Sequence, residues 1–147
     1  MGQKTTTLYD TDFNLWIEQT VRQLKRGDVQ SLDLENLIEE IESMGRSDKR
    51  EVYSRLKVLF LHLLKWKYQP QKRTGSWKNT IDEQRDQLSL ILADSPSLNP
   101  YVQTIFADCY LKGRKGASNE TDLPLSNFPV DCPFSLAEIL DAEFFPD

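Results

Sequence analysis

The stretch from Val52 to Trp66 limits the fold more than any other part of the chain. Val52, Leu56, Leu59, Leu63 and Trp66 recur at three- and four-residue steps, the spacing of one helical face. Val58, Phe60, Leu61 and Leu64 widen that stripe until most of the circumference is apolar. Such a helix has to be nearly surrounded, so the chain must fold other helices around it. The spacing predicts this central helix over about 48–69. Asp48 and Glu51 have capping-box separation, and Pro70 closes the helix.

The same periodicity predicts the surrounding elements. Phe13, Trp16, Ile17, Val21 and Leu24 predict a helix over 10–26, stopped by Gly27. Leu34, Leu37, Ile38, Ile41 and Met44 predict a second over 33–44, with Asp33 as its cap and Gly45 as its end. Ile81, Leu88, Ile91 and Leu92 predict another over 77–93. The short link 71–76 sets it antiparallel to the central helix, and this hairpin is expected to form the spine. Asn99-Pro100 reads as a cap followed by proline at the first helical position. Tyr101, Val102, Ile105, Phe106, Cys109 and Tyr110 give the next helix its apolar face, which fades around Gly113–Gly116 or runs on to Glu120. Residues 121–134, with Pro124, Pro129 and Pro133, read as loop. Ser135 and Glu138 make a capping box for a last short helix ending at Leu140 or Asp141. Phe144 and Phe145 are expected to dock on the bundle, and polar residues 1–9 to fray. No alternating strand pattern, internal repeat or low-complexity tract is present. The expectation is an all-α, single-domain helical bundle over 1–147, with about four long and two short helices.

Several short segments together resemble a known family. They are Tyr9-Asp10-Thr11-Asp12-Phe13 with Trp16, then Asn36-Leu37-Ile38-Glu39-Glu40-Ile41-Glu42. His62-Leu63-Leu64-Lys65, Ser76-Trp77 with Arg85, and Pro96-Ser97-Leu98 continue the set, and Cys132-Pro133-Phe134 and Phe144-Phe145-Pro146 complete it. In this pattern the chain resembles the bacterial family catalogued as domain of unknown function 29, from residue 8 almost to its end. Members often carry tryptophan just before the final proline, where this chain has Phe145. The resemblance implies a helical fold and brings no assigned activity with it.

Composition excludes some functions. The chain has 147 residues and a net charge of −5, so as a whole it does not attract phosphate backbones. No apolar run approaches the ~18 residues that span a bilayer, and the first residues lack the apolar stretch of a signal peptide. Gly2 and Thr6 fit the loose N-myristoylation pattern, but the pattern is short and one acyl chain anchors weakly. No membrane partner is expected. Cys109 and Cys132 make neither a disulfide framework nor a zinc site, and read as ordinary thiols of a cytoplasmic protein.

Three features are candidate sites. Arg85 is in phase with Trp77, Ile81, Leu88 and Leu92, so it should be buried and should need a carboxylate. Glu35, Glu39 and Glu42 flank the apolar stripe of their helix, and Glu42 is the expected partner. His62, the one histidine, sits at the edge of the central stripe. Together Glu39, Glu42, His62 and Arg85 form a candidate polar cluster, structural or ligand-binding. It lacks the paired Glu-x-x-His spacing of a di-iron bundle, so neither metal nor cofactor is expected. The second feature is the segment 65–78. Lys65, Lys67, Lys72, Arg73 and Lys78 stand there without an acidic residue, interleaved with Trp66, Tyr68 and Trp77. Such a hairpin is a candidate anion or single-stranded nucleic-acid patch. The third joins this basic turn to the chain's end. From Glu120 onward there are seven acidic residues and no lysine or arginine, so the tail is expected to fold over its own turn or over a neighbour's.

No nucleophile constellation and no phosphate-cradling loop stands out; Gly113-Arg114-Lys115-Gly116 has neither the spacing nor a preceding strand. The leading expectation is a non-enzymatic protein-interaction or regulatory module, its partner another protein or a second copy. The alternatives are nucleic-acid contact through 65–78 and an enzyme or small-ligand site around the polar cluster.

Overall fold

The computed structural model describes residues 7–147; the myristoylation pattern at Gly2 and Thr6 lies outside them. Among the described residues there are six α-helices, four of them long, and no strand. They are α1 (Leu8–Thr11), α2 (Phe13–Lys25), α3 (Leu34–Tyr68), α4 (Gly75–Asp94), α5 (Asn99–Thr121) and α6 (Leu136–Leu140). The chain divides into two compact units, Met1–Arg46 and Ser47–Asp147, and α3 contributes to both.

The number of helices is as expected, but their partition differs. The anticipated break at Gly45 is absent, and α3 passes through it. A glycine inside a helix costs about 1 kcal/mol but stops it only where the backbone turns left-handed. Gly27 does so, with φ of +71°, and ends the chain's first long helix. A short helix replaces the expected frayed start over Leu8–Thr11, and Asp12 then caps α2 by accepting from the Leu15 N–H at 3.0 Å. Asp33 caps α3 as expected, accepting from the Asn36 N–H at 3.3 Å. Asn99 is not the cap of α5: a 3-10 turn at Pro96–Leu98 has already brought the chain to helical angles there. The capping box of Ser135 and Glu138 forms as read.

In the second unit the contacts give the helix directions. Arg55 meets Gln84, and Lys65 lies over Trp77, so α4 runs antiparallel to α3. Tyr53 donates to Asp108, Phe60 packs on Tyr110, and Lys65 pairs with Glu120, so α5 runs parallel to α3. The wide apolar stretch of α3 is covered as its sequence demands: Val52, Leu56, Leu59, Phe60, Leu63 and Leu64 are fully buried. Ile81 and Leu88 of α4 and Val102, Cys109 and Tyr110 of α5 complete this core, and Phe128 and Ile139 close it from the C-terminal segment.

In the first unit α2 and the start of α3 form an antiparallel hairpin. Tyr9 reaches Glu40, and Gln23 reaches the Ser31 carbonyl at 3.2 Å. Its stripes are not buried as their periodicity leads one to expect. Trp16 is 6% exposed, whereas Ile17, Val21, Ile38 and Ile41 are 40–60% exposed.

Gly113 sets the spacing of α5 on α3. A Cβ there would lie 2.7 Å from Phe60 Cβ and 2.9 Å from the Lys57 carbonyl oxygen. At Gly116 the clash is with Leu61 Cδ1, at 2.6 Å, the free end of a side chain that can rotate away. Gly113→Ala should therefore cost about 1–3 kcal/mol through overpacking and lower the melting temperature by on the order of 5 °C. Gly116→Ala should cost less than half as much. Thermal denaturation of the two variants checks this, and equal losses would show that the Lys57–Phe60 contact does not set the spacing.

Candidate functional site

The C-terminal segment closes over the turn between α3 and α4, and two arginines hold it there. Arg73 donates from Nε to the Trp66 carbonyl at 2.8 Å and from Nη2 to the Pro146 carbonyl at 3.1 Å. Its guanidinium lies over the Trp66 ring, which packs against Phe145 with centroids 5.1 Å apart. Arg85, 4% exposed, donates from Nε to the Ile139 carbonyl at 2.8 Å and from Nη2 to the Glu138 carbonyl at 3.3 Å. Both carbonyls lie at the C-terminal end of α6, where the dipole is negative and helix carbonyls run short of partners, although Glu138 also accepts from the Asp141 N–H at 3.2 Å. The ring of Phe145 lies 5.4 Å from the same guanidinium. Burial lowers the pKa of Arg85, partly offset by Asp141 and Asp82.

Arg85 is thus buried, as its phase predicts, but the expected pairing with Glu42 is corrected. Backbone carbonyls of α6 take the Nε and Nη2 donors, and the buried Nη1 has no partner among the described residues, while Glu42 faces Arg46 at 3.9 Å and Glu39 faces the same arginine at 2.9 Å. The candidate cluster is divided: Glu39 and Glu42 belong to the first unit, His62 and Arg85 to the second. His62 Nδ1 lies 3.0 Å from the Val58 carbonyl, and burial lowers its pKa. Its charged neighbours are Lys65 and Glu120, whereas those of Arg85 are Asp141 and Asp82. Among the described residues no three of His, Cys, Asp and Glu gather as a metal-ligand set. Burial pushes the Cys109 thiol up to about 12 and the Cys132 thiol up to about 11, so both are poor nucleophiles.

Much of the basic–aromatic hairpin is engaged within the chain. Lys65, 8% exposed, pairs with Glu120 at 3.0 Å and lies 4.5 Å from the centre of the Trp77 ring. Lys67 lies over Tyr68 and Lys78 over Phe145, while Lys72 is exposed. The tail does fold over its own turn, but by a different means from the charge attraction read in the sequence. Lys65–Glu120 is the ion pair of this contact, and the other contacts are to carbonyls and rings. Arg114 repeats the device, donating to the Phe128 carbonyl at 3.0 Å and the Leu125 carbonyl at 3.1 Å. Sequence reading missed Arg73 and Arg114 in this role. The available signal was a proline-rich C-terminal stretch with no cation of its own.

The first unit presents a different surface. Tyr9, Phe13 and Trp16 pack as a trio with ring centroids 4.9–5.8 Å apart. Beside them a groove of about 260 Å³ runs between α2 and the start of α3, lined by Phe13, Ile17, Val21, Leu24, Leu37 and Met44, with Thr20 and Glu40 its polar members. Trp16 also lines it, and the buried indole N–H has no acceptor among the described residues.

The segments that carried the resemblance are these contact points: Tyr9 on Glu40, Trp16 beneath the groove, Lys65 on Trp77, Arg85 on α6, and the Phe144–Pro146 end. The chain belongs to the DUF29 family. The family model, described as Domain of unknown function DUF29, matches residues 8–145. No curated protein and no solved structure matches the chain. In this DUF29 chain Phe145 packs on Trp66, Lys78 and Arg85.

Two predictions follow from these contacts. Arg85→Met should leave the Ile139 carbonyl without its donor and the Glu138 carbonyl with the Asp141 N–H alone, and cost roughly 2–3 kcal/mol. Hydrogen exchange should rise over 135–147 and stay unchanged in α5, and Arg85→Lys should recover only part of the protection, because a point charge does not replace a two-pronged donor. Uniform loss of protection would deny Arg85 its local role. The second concerns alkaline pH. Tyr9 donates to Glu40 and Tyr53 to Asp108, and each hydrogen bond pushes its phenol up to about 12, with burial adding to it. The folded state therefore keeps phenolic protons that the unfolded chain has lost above pH ~10. Stability from these groups is complete below that pH and declines as pH rises towards 12. Phenolate absorbance of native protein at pH ~11 should fall below that of urea-unfolded protein, and Tyr53→Phe should narrow the gap.

Proposed function

We propose that this chain is a non-enzymatic protein-interaction module whose first unit carries the binding surface. One observation supports the reading above the rest: among the described residues, ten of the fourteen exposed large apolar side chains lie between Phe13 and Met44. The remaining four are spread over the second unit, Leu90 on α4, Leu111 on α5, and Leu125 and Val130 in the segment between α5 and α6. Scattered apolar residues are normal on a protein surface, whereas a contiguous band along two adjacent helices marks a place where another molecule docks. The described part of this unit carries nine acidic and four basic side chains. That balance repels anionic lipid and phosphate and favours a protein partner.

The other readings have less to stand on. A nucleic-acid contact through 65–78 would need Lys65 and Arg73, which are committed to Glu120 and to the Trp66 and Pro146 carbonyls. A catalytic or ligand site would need His62 and Arg85 to share surroundings, and their charged neighbours differ.

Photo-crosslinking in living cells tests the proposal. A benzophenone amino acid placed at Ile38 should give discrete protein adducts, and the same probe at Leu90 should give few. Equal labelling at both sites, or none at Ile38, would refute a docking surface on the first unit.

A further inference from the structure

Resting on that reading, we infer that the occupant of the apolar face is a second copy of this chain, its hairpin packed with the same face inward and its tip at the same end. The hairpin is half of a four-helix bundle. On α2 the exposed apolar side chains are Phe13, Ile17, Val21 and Leu24. On the start of α3 they are Leu34, Ile38, Ile41 and Met44. Each set follows three- and four-residue steps, and the buried or half-buried Trp16, Thr20, Leu37 and Glu40 lie where the two helices meet. Both open stripes therefore face the same side of the hairpin. These eight side chains are 40–66% exposed.

The area is right for a dimer. Eight large side chains about half uncovered leave on the order of 700 Å² of apolar surface, above the ~300–600 Å² patch of a typical monomer and close to the ~800 Å² per partner of a standard interface. A two-fold axis lets one such face bury its own copy without creating any new open surface. The groove between the helices is apolar and long enough in residues, from Phe13 to Leu24, to receive side chains from the copy.

Charge selects the arrangement. The outer flank of α2, beyond Val21, carries Arg22 and Lys25 near the hairpin tip. The outer flank of α3, beyond Ile38, carries Glu35 and Glu39 near the same tip. With both tips at one end, the α2 flank of each copy lies beside the α3 flank of the other, and cations meet carboxylates. With the tips opposed, α3 would lie beside its own copy and bring Glu35, Glu39 and Glu42 against a second set of the same carboxylates. The first arrangement removes that repulsion near the tip.

Sedimentation of the purified full chain from ~1 to ~100 µM, with two charge-reversed variants, tests the inference. The unaltered chain should be a dimer through most of that range, and Ile38→Glu should weaken the dimer at least a hundredfold while keeping the helical circular dichroism. Arg22→Glu with Lys25→Glu should be monomeric alone, and so should Glu35→Lys with Glu39→Lys. Mixed in equal amounts, they should form a heterodimer, since every reversed flank then meets its opposite. The mixture also serves as a folding control, because an unfolded variant cannot restore assembly. A monomer at every concentration would overturn the inference. So would reversed variants that dimerise alone as well as the unaltered chain does. If the purified chain stays monomeric while Ile38 crosslinks to a different protein in cells, the self-pairing fails and the docking surface stands. If neither assembly nor crosslinking occurs, both fall.

Discussion

The apolar stretch of α3 from Val52 to Leu64 is the constraint on which the second unit depends. Its side chains point in too many directions for one neighbour to cover, and burying them takes α4, α5 and the C-terminal segment together. Gly113 shows how tightly this is done: α5 approaches close enough that a methyl group would meet the Lys57 carbonyl at 2.9 Å. Hydrophobic burial is non-directional, so it demands cover without specifying geometry. The geometry comes from the polar contacts at the margins of the core.

Those margins repeat one chemical device. After α5 the chain has little regular structure, so its carbonyls lack ladder partners, and proline removes donors that might have paired with them. Arg73, Arg85 and Arg114, projecting from the regular part of the unit or its turn, each donate to two carbonyls. A planar guanidinium suits this work because it offers several donors in fixed directions and is weakly hydrated for a cation. The tail's seven acidic side chains contribute less to docking than its backbone oxygens and its Phe145 ring.

This explains which parts of the structure were legible in the sequence. The helices were readable because periodicity and caps act locally: Asp33, Ser135 with Glu138, and the Gly27 stop all perform as read. Gly45 misled because a stop requires a left-handed residue, and nothing in the sequence separates a helical glycine from a left-handed one. Asn99 misled because the preceding turn, Pro96–Leu98, had already made the chain helical. Phase predicted that Arg85 is buried but could not name its partner. A buried cation can be answered by an acidic side chain or by a backbone carbonyl, and every residue carries the second, which no letter in the sequence marks.

The two stripes of the first unit show the deeper limit. Phe13, Ile17, Val21 and Leu24 follow the same kind of three- and four-residue steps as Val52, Leu56, Leu59 and Leu63, yet the first set is 40–51% exposed and the second fully buried. Periodicity states that a face needs covering; it does not state which molecule provides the cover. In the second unit the chain supplies that cover itself, because the residues that follow α3 return over it. Among the described residues of the first unit few are available to do so: α1 has four residues, and the link from Arg26 to Asp33 holds little that is apolar. A hairpin of this length cannot bury two stripes with its own atoms, since two helices touch along one edge and leave the rest of each stripe open. The segregation of cations onto α2 and carboxylates onto α3 then acquires a physical role, because it is the flanks of the open face that decide what may lie beside it.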